Sequence, residues 1–485
     1  MWPIPLRWMV CAGFICFIGN SLASEYSPPG IYDVEHFVLD NGLRVMLKPR
    51  DSARSVAFRL VVGVGQNDYD CDRQETPHFL EHLLFTGTSR HTETELDKMV
   101  EQHGGHWNAF TGVEETIYHL DIYSRYAGFG LDVLYEILSD SLLSADDVEI
   151  SRGIIEREAG GRSSAIERWM LRHDIGRSAT EKALRKMFPG GNFICNDIDA
   201  SAYITRDNIL DAFNTYYVPG NMTLIVVGDF DIDEMRYAIK NSFGTLAEKV
   251  LPERPFQVPP LSDEFGEVEN TLQPILGSDA GIGMAFRSIG VTSDDYYIFY
   301  VLKSYLNARL YESIRVENGL AYSPGSSLAA RRDYGAFMVY AEVEPGTQDE
   351  VLGLMRKEIE RLHMPLDAEI VEQTKRKLLL QMVQGYESNS DIADYYASSV
   401  FEYESNGGLV DEEARIEAVT VDDLHRVATK YLPLSKAIVV HEVPTLTYVQ
   451  FYTVLVCLIL VGIAGIGYTL FRWHRCSASR GCTWR

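Results

Sequence analysis

Four residues of one segment return together late in the chain. Thr205, Asp207, Ile209 and Tyr216 recur as Thr420, Asp422, Leu424 and Tyr431, each 215 residues on. Both copies read as a capped amphipathic helix, a turn containing Pro219 or Pro433, and a short β-branched strand. A unit repeated at that distance in 485 residues implies two similar halves. Residues 250–267, between the copies, are rich in proline and acids, a linker composition that would let the halves move. Residues 36–49 and 55–65 are strand-like, with a hairpin signal at Asn41-Gly42, while residues 349–362 have helical spacing. The fold expected is α+β, with each half a mostly antiparallel sheet packed with helices.

The chain ends are addressing and anchoring segments. Residues 1–23 place Arg7 before an apolar run and end on Ser21-Leu22-Ala23, the pattern of a cleaved secretory signal. Phe451 to Phe471 are 21 residues without a charge, enough to cross a hydrocarbon core of about 30 Å as a helix. Arg472, Arg475, Arg480 and Arg485 follow with no acid, so the tail is expected inside and everything before the span outside. The divisions expected are thus 1–23 signal, 24–249 first half, 250–267 linker, 268–446 second half, 449–471 transmembrane helix and 472–485 cytoplasmic tail. The short basic tail and simple signal fit a bacterial inner-membrane anchor with the ectodomain in the periplasm. A eukaryotic single-span protein is the alternative.

Net charge is −25, and neither terminal segment contributes an acid, so the ectodomain is more acidic still. That sign excludes a nucleic-acid backbone as partner. Cys71 and Cys195 are the two cysteines left in the oxidising compartment, and the sequence leaves their pairing open.

The chemistry-bearing segment is TPHFLEHLLFTGT, with His78, Glu81 and His82. On a helix, residues four apart share a face, so both imidazoles reach one metal ion with Glu81 beside them. Two nitrogen ligands and a carboxylate next to an open coordination position are the parts of metal-assisted hydrolysis. The order H-x-x-E-H inverts the commoner zinc motif and is the inverzincin signature.

This stretch resembles the inverzincin peptidases of the pitrilysin, insulin-degrading-enzyme and mitochondrial-processing-peptidase family. In that family the third zinc ligand is a glutamate about 76 residues beyond the second histidine, in a context like E-R-x-x-x-x-R-E. Here ISRGIIERE ends in Glu158, 76 residues after His82. GGHWNAFTGVEETIYHL resembles the family's edge strand, which implies that the backbone at Asn108 and Ala109 pairs with an extended substrate. RVENGLAYSPGSS resembles its R-x-x-x-G-L-x-Y element, which implies that Arg315 and Tyr322 support the substrate and the tetrahedral transition state when the halves close. One position departs from the family: a supporting glutamate seven residues before the third ligand is Ser151 here, and Glu149 lies nearby.

The resemblance implies a clam-shell of two homologous halves and a zinc endopeptidase binding one Zn2+ per chain through His78, His82 and Glu158. Glu81 is the expected general base, and peptides or unfolded segments are the expected substrates. A non-catalytic peptide-binding or assembly subunit of the same fold is the alternative. Both motifs sit in one chain, so no second protein is required, and a homodimer is compatible with the sequence.

Overall fold

The hairpin expected at Asn41-Gly42 forms. Glu35–Val38 (β1) pairs antiparallel with Arg44–Pro49 (β2), and Gly42 takes φ +91° in the turn, a conformation glycine adopts without strain. The structure, a computed structural model, describes residues 30–478 apart from 162–163, 190–194, 196–197, 252–258, 260–261, 263–264 and 273. The expected signal segment and most of the linker lie outside those residues.

Ser55–Val62 (β3), His106–Thr111 (β4), Thr116–Tyr123 (β5) and Met222–Gly228 (β6) complete a six-stranded sheet in the order β1-β2-β6-β3-β5-β4. Only β2 and β6 run parallel, and β4 forms one edge. Gly266–Glu269 (β7) begins the second half and is followed by the two-residue strand Leu276–Gly277 (β8). Ala280–Ser288 (β9), Gly325–Ala330 (β10), Gly335–Val343 (β11) and Ile438–Glu442 (β12) join β7 in a five-stranded sheet ordered β10-β11-β9-β12-β7. Leu446–Thr447 (β13) pairs with β8.

The 215-residue echo is structural. Helices Arg206–Tyr216 and Val421–Tyr431 start at Thr205 and Thr420, whose hydroxyls accept from the N–H groups of Asn208 and Asp423. Ile209 and Leu424 are fully buried at matching positions. The strands that follow, β6 and β12, also correspond: each lies inside its sheet beside a parallel neighbour and an antiparallel one. The two α+β halves are therefore those the repeat implied.

What the repeat did not indicate is that each half lends a helix to the other. Helix Ala179–Met187, from the first half, lies on the second sheet, where Ala179, Ala183 and Met187 pack with Ala285, Ala336, Ile438 and Val440. Helix Asn389–Ser398, from the second half, lies on the first sheet, with Ile392, Ala393 and Tyr396 against Met46, Ala57, Val61 and Ile225. Arg59 of β3, almost wholly buried, is satisfied across this boundary by Asp394 and by Ser390 Oγ at 2.6 Å, and within its own sheet by Asp121 at 2.7 Å. A buried guanidinium requires such partners, so the exchange is polar as well as apolar. Sliding the halves apart would expose both apolar faces and strand Arg59, so the two sheets form one clasped body.

Tyr396→Ala tests the clasp. Tyr396 is fully buried and its hydroxyl donates to the Ile31 carbonyl. Deleting a core aromatic costs about 3–5 kcal/mol. Denaturant unfolding is expected to show that loss in one transition, not in the second half alone.

Cys71 and Cys195 are disulfide-bonded across a sequence separation of 124. In the chain-entropy model a loop that long contributes on the order of 4–5 kcal/mol. The bond ties the segment after helix Ala179–Met187 to the loop before the H-x-x-E-H helix. At the C-terminus, helix Tyr448–Ala478 leaves both halves, and Tyr448–Arg475 is long and apolar enough to cross a membrane, with its side chains exposed.

Candidate functional site

Helix Thr76–Leu83 carries the motif with Pro77 in its first turn, where a missing N–H costs nothing. Phe79, Leu80 and Leu83 are buried in the first-half core, which fixes the helix. The opposite face presents His78, Glu81 and His82, all half-buried. Helix Ala145–Glu158 packs beside it, capped by the Ser144 hydroxyl, which accepts from Asp147 N–H. That helix stops at Glu158: Gly160 and Gly161 follow with φ +83° and +103° and turn the chain away.

Three of the expected site residues converge. His78 Nε2 lies 3.3 Å from His82 Nε2, and Glu158 Oε2 lies 3.3 Å and 3.4 Å from those two nitrogens. Tetrahedral coordination at bond lengths of about 2.0–2.1 Å separates donors by about 3.3–3.4 Å. The triangle thus has the edge lengths of three corners of a tetrahedral metal site, with the fourth corner left open. A cation suits the site electrostatically as well. Burial alone would push the His78 imidazole below its ordinary pKa, but its hydrogen bond to the Glu75 carboxylate and the charges of Glu75, Glu81 and Glu158 together hold it above.

Glu75 was not singled out by the motif. Its Oε2 accepts from His78 Nδ1 at 2.9 Å, which directs Nε2 of the same ring toward Glu158. The signal was present in sequence, since residues three apart on a helix are neighbours. Helix Ala145–Glu158 gives the site no such support at Ser151 or Glu149. Ser151 is buried and its hydroxyl has no hydrogen-bond partner among the described residues. Glu149 is exposed and paired with Arg152 at 3.0 Å, away from the histidines.

Glu81 is held from the neighbouring strand: Thr111 Oγ1, at the end of β4, donates to Glu81 Oε2. Asn108 and Ala109 occupy the same strand, opposite His119 and Tyr118 of β5. Because β4 is an edge, one side of its backbone is unpaired among the described strands, directly along the motif helix. Side chains alternate, with Trp107 and Ala109 toward the core and Asn108 outward.

Arg315 and Tyr322 are not brought to this cluster. Arg315 sits in a π-helical turn, Tyr311–Val316, with its guanidinium 4.1 Å from the Tyr322 ring centroid and donating to the Tyr322 carbonyl. Tyr322 is 78% exposed. Neither makes a hydrogen bond, ion pair or ring contact with His78, Glu81, His82 or Glu158. The pair is preorganised, but facing solvent.

Asn221, formally a glycosylation acceptor, is buried and donates to the Tyr216 and Gly63 carbonyls, as turn chemistry requires.

Comparison with known proteins places this geometry. Residues 44–183 match the family model described as insulinase, peptidase family M16, and residues 203–378 match the model of the peptidase M16 inactive domain. An uncharacterized zinc protease of Streptomyces coelicolor is 27% identical over 419 residues, covering 83% of this chain and 88% of the relative. The mitochondrial-processing peptidase subunit beta of Lentinula edodes is 26% identical over 420 residues, covering 81% and 86%. In fold, the crystal structure of a protease from Helicobacter pylori superposes with a TM-score of 0.70 at 20% identity, covering 85% of this chain and 99% of that one. Matched by models of both its domain types over more than half its length, the chain belongs to the M16 peptidase family.

Proposed function

We propose that the chain is a zinc-dependent endopeptidase cleaving peptides or unfolded segments on the outer side of a membrane, with one zinc held by His78, His82 and Glu158. The observation that carries this reading is the triangle of donor atoms 3.3–3.4 Å apart, with Glu81 beside it and an open edge strand alongside. Zinc, when bound, supplies Lewis acidity toward an attacking water and the scissile carbonyl. Glu81 takes the proton from that water and returns it to the leaving amine, and Thr111 fixes the carboxylate for both transfers. The backbone at Asn108 and Ala109 extends the sheet with the substrate, which excludes folded proteins as substrates.

Arg315 and Tyr322 act in the transition state by supporting the developing oxyanion. Since the exchanged helices clasp the two sheets of one chain, closure of one half onto the other would first have to break two cores. A second copy is the simpler source: in a homodimer, the second half of one protomer faces the first half of its partner and completes the site.

Glu75 takes the supporting role that Ser151 vacates. Glu75→Ala is expected to lower zinc affinity by about 10 to 100-fold, read by competition with a chromogenic chelator. Full affinity in that variant would leave His78 positioned by packing alone.

Residues 449–471 are the anchor in this reading, and the Cys71–Cys195 disulfide supports an ectodomain in an oxidising compartment. A chain ending at residue 446 is expected in the aqueous fraction with its zinc retained, whereas the full chain sediments with membranes. Zinc content and peptide cleavage by the purified protein separate the endopeptidase from a non-catalytic peptide-binding subunit of the same fold. Zinc bound without cleavage would favour the subunit.

A further inference from the structure

The second half has a cavity where the first half has its metal-ligand triangle. In the first half the triangle lies between the motif helix, helix Ala145–Glu158 and the edge strand β4. In the second, a cavity of about 710 Å³ lies between helix Tyr296–Leu310, helix Ala368–Gln384 and the edge strand β10. The chemistry there is different. Its lining includes Lys303, Ser304 and Asn307 from one helix and Lys377 and Gln381 from the other.

Lys303 is half-buried, and its ammonium meets the Tyr300 ring at 5.2 Å. No acid forms an ion pair with Lys303 or Lys377 among the described residues. Glu312 also lines the cavity but pairs with neither lysine. Asn307 Oδ1 accepts from the Ser326 hydroxyl at 2.9 Å, which leaves its NH2, a donor, for the cavity. In a chain with 69 acids and 44 cations, two lysines lining one donor-rich cavity, with no ion pair among the described residues, mark a place for an anion. Burial pushes the Lys303 ammonium below its ordinary pKa, the strain that a bound anion would relieve.

We propose that this cavity binds a carboxylate of a peptide lying along β10, with Lys303 and Lys377 as its cationic partners. Two kinds of peptide carboxylate have this chemistry, an Asp or Glu side chain and a free C-terminus. Among the described strands β10 pairs with only β11, so an extended peptide can add along that edge beyond Ser326, whose N–H already donates to Asn307 Oδ1, and lower one acidic group into the cavity. The zinc site does the chemistry, and this second site selects which peptides are held. The proposal rests on the reading of the chain as a peptide-handling protein, but its test measures binding without cleavage.

The full chain carrying Glu81→Gln, in detergent, is titrated into three fluorescent versions of one short peptide. The first has an internal Glu and a free C-terminus, the second an internal Gln and a free C-terminus, and the third an internal Glu and a C-terminal amide. Losing the carboxylate that occupies the cavity is expected to weaken binding by about tenfold, the scale of one charge-assisted hydrogen bond. The version that loses affinity identifies the source. Adding Lys303→Met is expected to erase that difference and to leave the binding of the weakened version unchanged. If Lys303→Met fails to fold, Lys377→Met, at an exposed position, carries the same comparison. Equal binding of all three versions, or a carboxylate preference that survives the lysine variants, overturns the proposal. Absence of binding by all three overturns it together with the peptide-handling reading, a result distinguishable from loss of the preference alone.

Discussion

Glu81→Gln is expected to abolish peptide cleavage while zinc stays bound at one per chain. The amide keeps the size of the side chain and still accepts the hydrogen bond from Thr111, so the helix and the ligand triangle are undisturbed. What it loses is the ability to accept a proton at neutral pH. General-base catalysis contributes about 10² to 10⁴-fold, and the loss should fall in kcat with peptide binding retained. The control is His82→Ala, which removes one corner of the triangle and should lose zinc and cleavage together. Turnover within threefold of the parent in Glu81→Gln would exclude Glu81 as the base. The pair of variants therefore separates loss of the proton acceptor from loss of the metal.

How much of this was legible depended on whether the information was local. His78, Glu81 and His82 share a face because of helical spacing, and a single turn of helix is all that spacing needs. Glu158 was reachable only through a family resemblance, yet the structure sets its Oε2 within 3.4 Å of both imidazole nitrogens. The duplicated unit was legible because Thr205 and Thr420 are caps and Ile209 and Leu424 are core positions, all local signals. The exchanged helices were not. Asn389–Ser398 and Ala179–Met187 have ordinary Ser-capped amphipathic patterns, and a pattern says that a face is buried without saying against which sheet. Arg59 gave no signal either, since its partners Ser390 and Asp394 lie more than 300 residues away.

The same distinction explains the support of the metal site. The resemblance implies a supporting glutamate at the position that Ser151 holds here. The structure supplies a carboxylate from Glu75, at the N-cap of the motif helix, where it reaches His78 Nδ1. What matters physically is an acceptor at that ring nitrogen, and either helix can present one. Arg315 and Tyr322 touch each other and not the ligand triangle, since a short local element fixes contact within the pair but carries no information on its distance from a remote segment.

Mixed dimers decide between closure within a chain and completion by a second copy. Tyr322→Phe alone is expected to lower turnover by about 10² to 10³-fold, with little effect on peptide binding, because its hydroxyl serves the developing oxyanion. Co-expressing a Glu81→Gln chain with a Tyr322→Phe chain under two affinity tags gives heterodimers carrying one lesion on each protomer. If the second half of one protomer serves the first half of its partner, one site of each heterodimer joins an intact Glu81 to an intact Tyr322. Such heterodimers should recover about half of the parent activity, far above either homodimer. If instead each site is built within one chain, both sites are damaged and nothing is recovered. The reciprocal arrangement reverses the outcome: pairing a doubly substituted chain with a parent chain leaves one intact site under closure within a chain, and none under completion by the partner. Because the two heterodimers contain the same substitutions in the same number, a difference between them reports only which chain completes which site.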